Sequence, residues 1–133
     1  MQITENFTLE EFTRNSGLRD GELTLLQVIN LSVLAALVVQ PVRNKFGFPV
    51  RITSGLRSVD HNTYVGGKSN SQHLTGQACD FVCNDLEMVF LWMSQNLVFD
   101  QLILEKSAKT GSKWIHVSFA VGMNRGQVFR IVC

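Results

Sequence analysis

The feature that most constrains how this chain can fold is one long apolar segment near its N-terminus. From about residue 21 to residue 43, apolar residues recur at helical spacing; these are Leu25, Leu26, Ile29, Val33, Leu34, Leu37 and Val38. We expect a long helix, capped by Asp20 or a neighbour and kinked or ended at Pro41. Four polar residues interrupt the segment between Leu23 and Val39, and it is shorter than the ~20 clean apolar residues of a membrane span. The segment therefore predicts a buried helix and no membrane span.

Two further helix starts are marked by capping residues. Thr8 and Glu11 form a capping box, and Phe7 and Phe12 are spaced as a hydrophobic staple, which predicts a short helix at the start of the fold. Ser58 is expected to cap another short helix.

A fourth helix and five strands follow from the remaining patterns. Asn84 is expected to cap a helix that ends near Asn96, and Gly111 suits a hairpin turn. Strand patterns lie at Val50–Ser54, Gln77–Val82, Val98–Glu105, Trp114–Phe119 and Gln127–Val132. Helices come first and most strands later, so the predicted class is α+β, with N-terminal helices packed on an antiparallel sheet. With 133 residues and no visible linker or repeat, residues 1–133 are expected to form a single domain.

Charge and cysteine content exclude several classes of protein. The formal net charge is +1 and the basic residues are scattered, which argues against a nucleic-acid partner. Residues 1–5 contain no basic stretch followed by an apolar one, so we expect synthesis in the cytoplasm without a signal peptide. Three cysteines, an odd number, and no secretion signal argue against a disulfide framework. Cys79 and Cys83 would lie ~13 Å apart along a strand, too far for a bridge.

Two polar residues interrupt apolar strands and suggest a metal site. Asp80 follows Ala78-Cys79 and precedes Phe81, and a carboxylate there is costly unless a cation or hydrogen bonds compensate it. His116 lies likewise inside the fourth strand pattern, and His73 precedes Asp80 by seven positions. Two imidazoles and one carboxylate are the ligand count that leaves one position free on a catalytic zinc ion. Each residue alone has a simpler interpretation, as a hydrogen-bonded core histidine or as an aspartate paired with a lysine.

The residues around these three resemble the M15 zinc peptidases, which include D-Ala-D-Ala carboxypeptidases, related peptidoglycan peptidases and phage endolysins. The resemblance runs from about Phe7 to the last strand. It is carried by Ser54-Gly55-Leu56-Arg57-Ser58, Asn62, Val65-Gly66-Gly67, Ser71-Gln72-His73-Leu74-Thr75-Gly76-Gln77-Ala78-Cys79-Asp80 and Trp114-Ile115-His116-Val117-Ser118. The resemblance implies the small α+β fold shared by D,D-peptidases and the hedgehog signalling domain. It also implies one Zn²⁺ ion held by His73, Asp80 and His116.

The residues next to the proposed ligands agree with this ligand set. Gly76 allows a sharp turn before the Asp80 strand. Ala78 shares a face with Asp80 and leaves room there, whereas Cys79 points to the opposite face and is not expected to be a ligand.

The resemblance implies hydrolysis of peptide bonds in peptidoglycan stem peptides. The protein would act as a D,D-carboxypeptidase or as an L,D- or D,D-endopeptidase, with zinc-bound water as the nucleophile. Many relatives carry an acid just before the last histidine, but Ser112-Lys113-Trp114-Ile115 contains none. We therefore assign the general base to Glu105, with Asp100 as a weaker alternative. Glu105 shares a sheet face with His116 only if it lies opposite Trp114, because a slip of one residue would separate them.

Three residues are expected to bind or position the substrate. Arg57, which the resemblance places at the substrate cleft, can hold a carboxylate through two parallel hydrogen bonds and is assigned to catalysis and substrate binding. Ser71 and Gln72 flank His73 and are expected to orient it or to bind substrate amides.

Two other interpretations stay open on the sequence. The missing acid near His116 is compatible with a non-catalytic, zinc-containing module that binds the cell wall. A zinc hydrolase acting on another substrate is also compatible, since fold and metal do not fix the substrate. We expect a monomer that acts on the cell wall, and a phage lysis role would account for the compact catalytic domain.

Overall fold

The computed structural model describes all residues from Met1 to Cys133. Its helices are α1 (Leu9–Thr13), α2 (Leu25–Leu34), α3 (Gln40–Phe46), α4 (Val59–Tyr64) and α5 (Leu86–Asn96). Its strands are β1 (Arg51–Ser54), β2 (Ala78–Val82), β3 (Gln101–Lys106), β4 (Lys113–Ser118) and β5 (Gln127–Val132). They form one sheet in the order β1-β2-β4-β3-β5. The predicted α+β class is confirmed, and all five predicted strands form with ends shifted by at most a few residues.

The sheet is antiparallel except at its last strand, which corrects the prediction of a wholly antiparallel sheet. β5 pairs with β3 in parallel, with Gln101 opposite Gln127 and Lys106 opposite Val132. The reason is the short connection after β4. Because β4 runs antiparallel to β3, it ends beside the start of β3. Residues 119–126 reach only to the outer edge of β3 at that same end, where Gln127 donates its N–H to the carbonyl of Asp100 at 3.0 Å. The last strand must then run in the direction of β3.

The N-terminal helix forms as its capping residues predict. The carboxylate of Glu11 accepts a hydrogen bond from the backbone N–H of Thr8 at 2.7 Å, which closes the capping box. The rings of Phe7 and Phe12 pack with their centroids 6.2 Å apart, and both are almost fully buried. This staple fixes the direction in which the chain enters the helix. The cap of α4 is also as predicted, since the Ser58 hydroxyl accepts from the N–H of His61.

The long helix starts later than predicted and passes through its proline without breaking. Thr24, not Asp20, is the N-cap, and it forms a capping box with Gln27. A π-helical turn, Ala35–Val39, then joins α2 to α3, so one continuous helix covers Leu25–Phe46. Pro41 lies in the first turn after this π-helical turn. Its missing N–H costs little there, because the π-helical turn has already changed the pattern of backbone hydrogen bonds. This explains why the helix does not end at Pro41.

The buried face of this helix also differs from the predicted one. The residues that enter the core are Leu31, Leu34, Ala35, Val38, Val39 and Val42. Leu25, Leu26, Ile29 and Leu37, which were expected in the core, are exposed. Apolar residues occupy nearly all sides of the helix, so periodicity alone does not identify the side that packs. By length and mean hydropathy the helix could cross a membrane, but core helices meet the same criterion, and one side of it packs into the core.

The hydrophobic core packs against one face of the sheet, and the side chains on the other face are not part of that core. Alternate strand residues such as Phe81, Leu102 and Ile115 join the helices in a single buried cluster. α5 closes this side; its N-cap is Asp85, with a left-handed backbone, and not the predicted Asn84. Since strand side chains alternate, the residues between these core positions all point to the opposite face. That face carries the candidate site.

Candidate metal centre

The candidate site lies on a single row of residues that crosses all five strands. Asp80 is opposite His116 on β4, His116 is opposite Ile103 on β3, and Ile103 is opposite Phe129 on β5. Ser54 on β1 completes the row on the other side of Asp80. Residues opposite one another in a sheet share a face, so the two mid-strand polar residues singled out in the sequence are neighbours.

His73 reaches this row from a short 3₁₀ turn, Gln72–Thr75, that precedes β2. The Ser71 hydroxyl caps the turn by accepting the N–H of His73. Gly76 ends it with a φ of 76°, and a Cβ there would lie 2.8 Å from the carbonyl oxygen of Gln27. Only glycine satisfies both conditions without strain, which confirms the sharp turn predicted at this position.

The three side chains converge within coordination distance of a single ion. One ligand atom from each lies within 4.8 Å of the others. His73 Nε2 is 3.3 Å from Asp80 Oδ1, and His116 Nδ1 is 2.9 Å from the same oxygen. Two ligands of a tetrahedral zinc ion with bonds of ~2.0–2.1 Å lie ~3.3 Å apart, so only small shifts would seat an ion among these atoms.

The hydrogen bonding of His73 determines which of its ring nitrogens can bind an ion. Its Nδ1 lies 2.7 Å from the carbonyl oxygen of Gly55, to which it can only donate. A neutral imidazole with its proton on Nδ1 presents a lone pair at Nε2. That lone pair faces the carboxylate oxygen of Asp80, so the two atoms attract each other only when a proton or a metal ion lies between them. Two imidazoles with one carboxylate are suitable donors for zinc.

The charge of Asp80 is fixed by the same neighbours. Burial opposes its ionisation, but hydrogen bonds from His116 and then His73 outweigh burial and hold the pKa of Asp80 well below its usual range. The carboxyl group is therefore ionised at neutral pH, as a metal ligand must be.

Arg57 lies directly beside this centre. Its Nη2 is 3.4 Å from Asp80 Oδ2, its Nε donates to the Ser54 hydroxyl, and its Nη1 lies 3.4 Å from Asn62 Oδ1. The side chain is only 15% exposed, so it is not a solvated loop arginine. The guanidinium is held at the rim of the site with a positive charge that an anionic group can reach.

Glu105 takes the sheet position on which its proposed role depends. It lies opposite Trp114, two residues from His116, and the indole Nε1 donates to Glu105 Oε2 at 2.7 Å. Glu105 and His116 are thus on the same face as diagonal neighbours, within reach of a long side chain. The register on which the assignment depends is thus the observed one; the role of Glu105 as base remains a prediction.

Asp100, the weaker alternative base, is occupied elsewhere. Its carboxylate is buried and accepts two hydrogen bonds from the Arg125 guanidinium, at 2.9 and 2.7 Å, and one from the Gln72 amide at 2.9 Å. The hydrogen bonds from Arg125 are the main cause that lowers the pKa of Asp100 to about 2. Asp100 therefore links the loop after β4 to the 3₁₀ turn that carries His73, through its hydrogen bonds with Arg125 and with the Gln72 side chain.

Four contacts at the site were missed in the sequence. The carbonyl of Gly55 orients His73, and a Cβ at Gly55 would lie 2.3 Å from the carbonyl oxygen of Phe12, so only glycine fits there. Asn62 and Ser54 hold Arg57, and Trp114 holds Glu105. A backbone carbonyl leaves no side-chain signal in a sequence. Ser54 and Asn62 lie only three and five residues from Arg57, but in a stretch without a regular pattern, whereas Trp114 meets Glu105 across two paired strands.

Comparisons with known proteins bear on this geometry. The family model described as Peptidase M15 matches residues 5–118, which is most of the chain and includes every ligand of the candidate centre. The chain belongs to the peptidase M15 family. This confirms the family resemblance seen in the sequence, and the five-stranded α+β architecture is consistent with the fold of that family.

One relative of this M15 chain is a zinc D-Ala-D-Ala carboxypeptidase of Streptomyces albus G. The two are 35% identical over 77 residues, which is 56% of the M15 chain described here. The matched part is 30% of the relative, so the chain corresponds to less than a third of that protein. The relative's metal and substrate are properties of that protein and enter the proposal below.

Proposed function

We propose that this chain is a zinc-dependent peptidase that hydrolyses a bond next to a D-amino acid in peptidoglycan stem peptides. The observation that carries the proposal is the arrangement at Asp80. Nε2 of His73 and Nδ1 of His116 both face one buried carboxylate oxygen, at 3.3 and 2.9 Å. M15 membership and the zinc carboxypeptidase relative support the choice of zinc and of peptide hydrolysis.

One ion would be held by His73, Asp80 and His116, and when bound it would supply Lewis acidity toward a carbonyl oxygen and a water molecule. The protein's own groups provide the rest. Gly55 keeps the proton of His73 on Nδ1, which leaves Nε2 as the ligand atom. Asp80 balances part of the ion's charge and holds the Arg57 guanidinium beside it.

Glu105 is proposed to take the proton from the attacking water and to pass it to the leaving amine. Its carboxylate is oriented by the Trp114 indole and lies on the face of the ligands. A general base must be within hydrogen-bond reach of its proton, directly or through one water. The diagonal position of Glu105 relative to His116 is compatible with that requirement.

Arg57 favours a carboxypeptidase over an endopeptidase. Its guanidinium lies 3.4 Å from a carboxylate that would also bind the ion, so an anion held by Arg57 lies close to the reacting carbonyl. In a carboxypeptidase substrate the free C-terminal carboxylate belongs to the residue directly after the cleaved bond. It therefore lies one residue from the reacting carbonyl, which suits the short distance between Arg57 and the ion site. An endopeptidase substrate would place an uncharged amide there. Ser71 is proposed to position His73, and Gln72 to position the turn that carries it.

The proposal is tested by zinc content together with hydrolysis. The protein, loaded with one equivalent of zinc, is incubated with an acyl-D-Ala-D-Ala peptide and with the same peptide amidated at its C-terminus. We expect release of D-Ala from the free acid and at least ~10-fold slower cleavage of the amide, because Arg57 then lacks its ionic partner. Zinc binding without turnover across a broad stem-peptide panel would favour a non-catalytic wall-binding module instead.

The place of action and the bond cleaved belong to the same proposal. We propose that the protein acts as a monomer on the bacterial cell wall; a lysis role of the endolysin kind requires that it also cleaves stems or cross-links, because release of terminal D-Ala leaves the wall intact. Digestion of purified sacculi followed by mass analysis of the fragments tests this. Release of free D-Ala alone identifies a carboxypeptidase, whereas released cross-link or stem fragments identify an endopeptidase.

A further inference from the structure

The row that carries the metal centre continues into an apolar surface. Beyond His116 the next residues on the same row are Ile103 and Phe129. Ile131, two residues after Phe129 on β5, lies on the same face. Phe129 is 41% exposed and Ile131 is 39% exposed. We call Ile103, Phe129 and Ile131 the apolar shelf.

The orientation of β5 is fixed by independent contacts. Arg130, between the two shelf residues, points to the opposite face, where its guanidinium lies over the ring of Phe90 at 4.9 Å and pairs with Glu87 on α5. Phe129 and Ile131 must therefore point to the side of the ligands. Both side chains stay about two-fifths exposed there, so they are not part of the buried core.

The two ends of the row differ in chemistry. Arg57, which is hydrogen-bonded to the Ser54 hydroxyl, lies at the β1 end and carries a positive charge. The apolar shelf stands at the β5 end. A substrate with its carboxylate at Arg57 and its reacting carbonyl at the centre must extend its preceding residues across β3 and β5. Strands are ~4.8 Å apart, so Phe129 lies ~10 Å from His116, the span of about three extended residues.

We propose that the apolar shelf is a specificity site that binds apolar side chains, or long aliphatic ones, at the second and third residues before the cleaved bond. This inference rests on the proposed function for the direction of the substrate. One methylene in a hydrophobic pocket is worth ~10–200-fold in kcat/KM, so contact of a whole aliphatic side chain with this half-exposed shelf should reach at least the lower end of that range. The preferred substrate is thus a peptide with a free C-terminus that carries an aliphatic chain, with or without a polar end, at one or both of these positions.

The test compares peptides that differ only at those positions. Peptides of the form acetyl-X-X-D-Ala-D-Ala are prepared with X as Leu or Ser, and acetyl-D-Ala-D-Ala serves as a reference that does not reach the shelf. We expect the zinc-loaded protein to prefer Leu over Ser by at least ~10-fold in kcat/KM. Phe129→Ala should remove most of this preference and leave the short reference unchanged. Ile131→Ala should reduce it less.

Val128→Ala is the matched control. Val128 is exposed to a similar extent, 43%, and neighbours Phe129, but it points to the face of α5. This variant should keep the full preference for Leu. Equal loss in Val128→Ala and Phe129→Ala would show a general effect on β5 and would overturn the proposal.

Binding of the same peptides, measured by calorimetry, separates this inference from the proposed function. If the protein cleaves no peptide but binds the Leu peptide in a manner that depends on Phe129, the peptidase proposal fails and the shelf stands. If the protein cleaves the peptides with no difference between Leu and Ser, or Phe129→Ala keeps the difference, the shelf is refuted and the peptidase stands. Absence of both cleavage and binding overturns both.

Discussion

Replacement of Glu105 by Gln removes the proposed base with little other change. In the native structure the carboxylate accepts one hydrogen bond, from the Trp114 indole at 2.7 Å. The Gln side-chain oxygen can accept the same bond, since the two side chains have the same shape. We therefore expect the free energy of unfolding to change by less than ~1 kcal/mol. Zinc affinity should not change, because Glu105 is not among the ligands.

The loss in catalysis should be much larger than the loss in stability. A positioned general base contributes ~10²–10⁴-fold to the rate, which corresponds to ~2.7–5.5 kcal/mol in the barrier. We expect kcat of Glu105→Gln to fall by this factor, with KM nearly unchanged because the substrate is held by Arg57 and the ion. The assay is release of D-Ala from an acyl-D-Ala-D-Ala peptide at fixed zinc.

Trp114→Phe is the control for this experiment. It removes the hydrogen bond to Glu105 but keeps the carboxylate and an aromatic ring. We expect activity within ~10-fold of the unmodified protein, since the base is still present but less well oriented. If Glu105→Gln keeps more than a tenth of the activity, the assignment of Glu105 as base is wrong, whatever Trp114→Phe does.

The remaining predictions concern the support of the site, acid stability and the metal. Gly55→Ala places a Cβ 2.3 Å from the Phe12 carbonyl oxygen, so we expect a loss of ~1–3 kcal/mol in stability and a fall of ~10–100-fold in zinc affinity through His73, measured by urea unfolding and by competition with a chelator. Asp100 has a pKa of about 2, below its ordinary value of 3.8, chiefly because of the hydrogen bonds from Arg125. Its contribution to stability is therefore present above pH ~4 and lost as the pH falls toward 2, and in Asp100→Asn the difference in unfolding free energy between pH 5 and pH 2.5 should shrink. Treatment with a chelator should abolish hydrolysis and lower the melting temperature, both restored by one equivalent of zinc, whereas full activity after verified metal removal would exclude a metal-dependent mechanism.

Local signals in the sequence were sufficient for most of the elements. The capping box at Thr8 and the hydroxyl cap at Ser58 act within four residues of chain, so they are readable without tertiary information. The final strand, Gln127–Val132, has the predicted bounds, but its parallel pairing depends on the length of the connection after β4 and on where that connection can end.

The long helix shows where local signals fail. Apolar residues surround it almost completely, so the side that packs is decided by the sheet and by α1, not by periodicity. Leu25 and Leu37 are exposed for that reason, although their spacing fits a buried face as well as that of Leu34. The passage through Pro41 depends on a π-helical turn, for which the sequence has no clear marker.

The candidate site was predictable where polar side chains interrupt apolar strands. Asp80 and His116 stand out in that way, and the pattern around His73 adds the third group. The register that brings Glu105 to the same face was predictable only as a condition. The Gly55 carbonyl and the tie between Asp100, Arg125 and Gln72 were not predictable, since they arise where distant loops meet.

The most direct test of the account is crystallographic, with anomalous diffraction recorded on both sides of the zinc absorption edge for the protein loaded with one equivalent of zinc. We predict a single strong peak per chain, ~2.0–2.2 Å from His73 Nε2, from Asp80 Oδ1 and from His116, and its absence in Asp80→Asn. A zinc peak elsewhere, or no peak with these three side chains still in mutual contact, would contradict the account.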